Sequence, residues 1–134
     1  MAKSAGLSQA FYIGGADLSG DISAIDNCSS ERQTLDVTGL NQTAINRLLT
    51  YQDGDMSFTS YFNDAAGQAH TILKALPTTD VGVLWQLGST AGNSAAFMVA
   101  KQMNYDPTRG NDGSFMASVS TRNQGSPMEW GTML

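Results

Sequence analysis

The sequence predicts a mainly β domain: a sandwich or barrel of about seven strands with one or two short helices laid against it. Three observations carry this expectation. Apolar residues recur at period two in several short segments, as they do in half-buried strands. Gly, Asp and Asn gather between those segments, where turns need them. Only 14% of residues are charged while 41% are hydrophobic. The polar surface must therefore be built from Ser, Thr, Asn, Gln and Gly, a composition common on β proteins.

The 134 residues suit a single domain with one core, spanning 1–134. Residues 1–9 are small and polar and read as a flexible N-terminal arm. A short strand over 11–13 ends at Gly14-Gly15, and two polar turns then flank Leu18. Residues 22–30 form a second strand with imperfect alternation. Residues 32–37 form a better one, with Leu35 and Val37 at period two, stopped by Thr38-Gly39. Asn41-Gln42-Thr43 offers a helix cap, and Ile45, Leu48 and Leu49 fall on one helical face. Asp53-Gly54 reads as a turn.

The segment 56–62 is the cleanest strand of the first half. Met56, Phe58 and Phe62 share one face; Ser57, Thr59 and Tyr61 share the other. Asn63 or Asp64 can cap a second helix carrying Ala69, Ile72, Leu73 and Leu76, ended by Pro77. A strand over 81–87 contains Trp85, and small residues form a loop over 88–94. Residues 95–105 and 114–122 read as the two arms of a long hairpin around the turn 106–113. One face of it is apolar at Phe97, Val99, Phe115 and Val119 and should pack inward. The other carries Gln102, Asn104, Ser118 and Ser120. A last short strand covers 128–132.

Charge and motifs exclude more than they assign. The net charge is −5 and the seven Lys and Arg are scattered. That argues against an electrostatic grip on nucleic acid, which needs several clustered cations. One cysteine, Cys28, permits neither an intrachain disulfide nor a thiolate metal site. The lone His70 has no partner that sequence can place. No phosphate-binding glycine loop, zinc motif or redox pair is present, and the turn around Asp106 lacks the spacing of a calcium loop. The expectation is a non-enzyme with no metal, no cofactor and no catalytic residue. The start of the chain has no apolar leader and no run has the length of a membrane helix. A cytoplasmic site of synthesis and no membrane partner are expected.

"YIGGADLSGDISAID", "LDVTGLN" and "YQDGDMSFTSYFN" occur in that order. Together they resemble the major tail tube proteins of long-tailed phages, of the actinobacteriophage type. "AHTILKALPTTD", "VAKQMNYDPTRGNDGS" and "EWGTML" extend the resemblance over nearly the whole chain. The resemblance implies a structural virion protein of tail-tube-like fold. Its copies would form rings, commonly hexameric, that stack into a tube conducting DNA into the host. Its partners would be itself and other tail proteins, with DNA only as passing cargo. It would reside in the phage tail after assembly in the host bacterial cytoplasm. Asp17 and Leu18, in the turns that redirect the chain, and Asn27, Ser30 and Arg32, in a segment without a core stripe, become candidates for contacts between subunits. That last segment, 27–32, is expected to order only on assembly. Gln102, Asn104, Ser118 and Ser120 become candidates for the lumen wall, with the 56–62 strand as a rival. Two alternatives remain: a capsid decoration, head-completion or tail-terminator protein, and a small-ligand-binding β-barrel.

Overall fold

A computed structural model describes residues 9–76, 78–88 and 92–132. The expected arm over 1–9 thus falls outside the described residues except for Gln9. Its Oε1 accepts a hydrogen bond from Trp85 Nε1 at 3.1 Å.

The elements in chain order are β1 (Ala10–Ile13), β2 (Ala16–Asp17), β3 (Ile22–Asp36), β4 (Arg47–Tyr61), α1 (Ala69–Leu73), β5 (Val81–Gln86), β6 (Ser94–Gln102), β7 (Asp106–Arg109), β8 (Phe115–Asn123) and β9 (Glu129–Thr132). All pairings are antiparallel, in the order β2-β1-β5-β6-β8-β4-β3. The sheet does not close on itself, but it curls. Phe11 of β1 and Phe58 of β4 lie far apart in that order, yet their ring centroids are 4.6 Å apart. The concave side holds one core in which Ile13, Leu18, Met56, Leu73, Val83, Met98 and Val119 are buried.

The expected mainly β class is found, with one short helix among the described residues. Residues 47–49 do not extend a helix but pair with 34–36 of β3. Their apolar spacing is helical, but a helix that short nucleates poorly, and a partner strand lies alongside. Nor is Asp53-Gly54 a turn. Gly54 lies inside β4 opposite Ser30, and a Cβ there would stand 3.2 Å from Met128 Cβ. The glycine serves a close crossing of two segments, not a change of direction.

The expected long hairpin is also different. β6 and β8 share only the pairs from Ala100↔Asn123 to Gln102↔Thr121 and then splay apart. β9 fills the gap beside β6 and β7 fills the gap beside β8. Residues 106–109 are therefore strand, and the tight turn is the following Gly110–Ser114 loop, closed by Gly110 N donating to Ser114 O at 2.8 Å. The inward side of β6 is Ala96, Met98, Ala100 and Gln102, while Phe97 is exposed and Val99 half-buried. Inward packing of Phe97, Val99 and Phe115 is thus not observed; of that set only Val119 is buried.

Candidate inter-subunit surfaces

The turns around Leu18 are explained within the subunit. Asp17 Oδ1 accepts hydrogen bonds from Ser19 N at 3.0 Å and Ser19 Oγ at 2.6 Å, which holds its carboxyl below the usual carboxylate pKa. Leu18 N donates to Phe11 O, and Leu18 O accepts from Asp21 N and Ile22 N. This double turn drives the Leu18 side chain into the core, where it is fully buried. Leu18 is therefore a core residue, and its assignment as a contact between subunits is corrected. Asp21, which the sequence places in the second turn, is buried and ties that turn to α1. Its oxygens accept from Asn63 Nδ2 at 3.0 Å and Ala69 N at 3.1 Å.

The same Asp-x-Ser/Thr clamp recurs twice. Asp36 Oδ1 accepts from Thr38 N and Oγ1, and Asp112 Oδ1 accepts from Ser114 N. Each of these carboxyls is held below its ordinary pKa by the bonds it accepts. The spacing was visible in the sequence and is the signal that could have located these turns.

Asn27, Ser30 and Arg32 lie on β3, exposed but paired in the backbone with Ser57, Gly54 and Gln52 of β4. Residues 27–32 thus pack within one subunit, against the expectation that they would not. What distinguishes β3 is its other side. Among the described residues it has a strand partner only in β4, so beyond Ile22, whose N–H donates to Leu18 O, its outer edge is unpaired with any strand.

β8 accompanies β4 only as far as Asp55↔Arg122. Beyond that level β3 and β4 continue as a two-stranded ribbon. Every residue from 30 to 51 is exposed. This ribbon carries Leu35, Leu48 and Leu49 on its strands, Tyr51 at its root, and Leu40 and Ile45 in its end loop. Apolar side chains displayed on an unsupported ribbon make it a candidate contact surface.

The four lumen candidates do not share one face. Gln102 is buried on the core side, and its Nε2 donates to Leu73 O at 2.8 Å, satisfying a carbonyl at the end of α1. Asn104 bridges the splay between β6 and β8: its Oδ1 accepts from Ser120 N at 2.8 Å, and its Nδ2 donates to Asp106. Ser118 and Ser120 do point outward, beside Thr59 and Ser57 of β4. The outer faces of β8 and of the rival strand are therefore one continuous surface. It carries Ser57, Thr59, Ser118 and Ser120, with Asp26, Asp53 and Asp55 among them. The cation there, Arg122, is bound to Asp53 at 3.4 Å.

Other chemistry-bearing groups are quiet. Burial, with the Asp55 charge adding to it, pushes the Cys28 thiol pKa up, and Cys28 Sγ donates to Met128 Sδ at 3.5 Å. His70 Nδ1 lies 2.9 Å from Tyr105 Oη, and its ring packs against Phe62. No group of three or more His, Cys, Asp or Glu that could hold a metal ion occurs among the described residues. No helix among them is long and apolar enough to cross a membrane. A hollow of about 220 Å³ lined by Phe11, Ser19, Ile22, Ile25 and Trp85 lies in the unclosed seam between β1 and β3.

The curled, unclosed β-sheet is similar in fold to chains of gene transfer agent particles. The chain is similar to one in a gene transfer agent structure described as "Tail of empty GTA particle computed with helical refinement, C6 symmetry". That match has a TM-score of 0.59 and 16% identity, covering 83% of this chain and 82% of that one. It is also similar to a chain of the "Virion of native gene transfer agent (GTA) particle", with a TM-score of 0.69 and 13% identity, covering 96% and 99%. At these identities the likeness is one of fold, and it agrees with the fold that the tail tube resemblance implies. No family model matches the sequence, and no curated protein does.

Proposed function

We propose that the chain is a structural tail protein of a phage-like particle, the repeating subunit of a tube that conducts DNA. Copies sit side by side in rings, six to a ring, and the rings stack. The observation that carries this reading is β3, fifteen residues long and paired on one side only among the described residues. Alternate backbone N–H and C=O groups along that edge are free to bond a neighbouring copy. A curled sheet that does not close alone is completed by its neighbours, as in a composite barrel. The six-fold count rests on the symmetry of the gene transfer agent tail whose fold is similar.

The wall of the channel is the outer face of β8, β4 and β3. Hydroxyls wet it, and the carboxylates among them repel phosphate. Each free Lys or Arg there would add affinity for DNA through counterion release and slow passage.

Negative-stain electron microscopy of the concentrated protein tests the proposal. Tubes or stacked rings of uniform bore are expected. A monomer that persists at high concentration, or closed shells decorated with trimers or pentamers, would overturn it.

A further inference from the structure

Four sulfur-bearing side chains gather in the core beside Gly54. Cys28 of β3 stands opposite Met56 of β4 in the register, so the two share the core side of the sheet. Cys28 Sγ lies 3.5 Å from Met128 Sδ. Met98 Sδ and Met128 Cβ lie 3.5 Å and 3.2 Å from the point where a Cβ on Gly54 would stand. The missing side chain of Gly54 gives these chains room to meet. Met56, Met98 and Met128 are buried, while Cys28 is half-buried and gives the group a way to solvent.

We propose that Cys28, Met98 and Met128, with Met56 beside them, bind a soft monovalent cation, Cu(I) being the biological member of that class. Thiolate and thioether sulfurs are the donors such an ion selects. Zn(II) is held by Cys, His and carboxylate ligands. No group of three or more of those occurs among the described residues, so the donor set discriminates against it. Two sulfurs on one tetrahedral ion, each at about 2.3 Å, stand ~3.8 Å apart. The pair at 3.5 Å therefore needs little movement to take one. On binding, the Cys28 thiol releases its proton to solvent and its sulfur keeps the electron pair for the ion. Burial, and after it the charge of Asp55, raises the pKa of the free thiol; that same negative charge favours a cation at this point. Counting cysteines hid the site, because a thioether in a strand passes as core filling. A bound ion would tie the lead-in to β9 onto β3 and β6. The inference is independent of the tail-subunit reading.

Competition for Cu(I) against the coloured chelator bicinchoninate, without oxygen and with ascorbate as reductant, tests it on the whole chain. The parent is compared with Cys28→Ser, Met98→Leu and Met128→Leu, with folding checked by circular dichroism. Leu for Met nearly conserves volume, so the core keeps its packing. The parent should take one Cu(I) per chain, and Cys28→Ser and Met128→Leu should each bind about tenfold more weakly, Met98→Leu severalfold. Saturating Cu(I) should raise the urea midpoint of the parent by on the order of 1 M, and Zn(II) should leave it unchanged. A parent that takes no Cu(I) from the chelator overturns the site. So does unchanged affinity in whichever of these variants fold, or equal stabilisation by Zn(II).

Discussion

Replacing Leu18 by Ala separates core from interface. Leu18 is fully buried, and its backbone is fixed by three hydrogen bonds, so the surrounding turns cannot collapse into the space. Loss of the transferred carbons and the residual cavity together cost about 3–4 kcal/mol. That is a large share of the ~5–15 kcal/mol that holds a domain folded. In urea, with the dependence usual for small proteins, the midpoint should fall by on the order of 1–2 M. The assay is equilibrium unfolding of dilute subunit, followed by tryptophan fluorescence, with Leu40→Ala as control. Leu40 is fully exposed at the ribbon tip, so its truncation should change stability by no more than about 0.5 kcal/mol while weakening assembly. If Leu18→Ala leaves the midpoint unchanged but abolishes assembly, the burial argument is wrong and Leu18 is a contact between subunits after all.

Ser60→Ala should raise stability by about 1 kcal/mol, because Ser60 Oγ is buried without a hydrogen-bond partner among the described residues; a lower urea midpoint would contradict this. The Asp17 carboxyl has a lowered folded pKa, so its contribution is present above its unfolded value of 3.8 and lost as pH falls through the folded one. Asp17→Asn should therefore lose less stability than the parent between about pH 6 and about pH 3, and an equal loss would refute the clamp. Paired Ser118→Lys and Ser120→Lys substitutions should leave folding intact and slow DNA ejection, with the defect relieved by salt. Unaltered ejection from intact particles would move the channel wall elsewhere.

Strands over 81–86, 94–102 and 115–123 were legible because alternation survives wherever one face is buried. Ala69, Ile72 and Leu73 marked the place of α1, but its N-cap is Gln68 and not Asn63 or Asp64, and it ends before Leu76. The direction of β6 was not legible. Bulk favoured burying Phe97 and Val99, yet the buried side holds Ala96 and Ala100, small residues on the concave face of the curled sheet. Size alone does not report curvature. The ribbon was misread because Ile45, Leu48 and Leu49 are exposed, so no buried face imposed a strand period on them. Of the candidate contact residues, Asn27, Ser30 and Arg32 fell on the exposed edge strand, while Leu18 did not, since an apolar residue between two turns reads the same whether it points in or out.

The pairing of β3 with β4 slips register at three places, between Ile22 and Ala24, Ile25 and Asn27, and Arg32 and Thr34. Each slip twists the strand locally and interrupts the even spacing of its free backbone groups. A straight fifteen-residue edge would be a template for any extended peptide in a crowded cell, including partly unfolded chains of its own kind. The interrupted edge offers short, misaligned stretches that a flat strand can follow for only a few residues. A correctly folded copy can present a partner of matching shape, and a random strand cannot. On the proposed reading, these irregularities would keep a waiting subunit from seeding fibrils and leave its longest edge to a copy of matching shape.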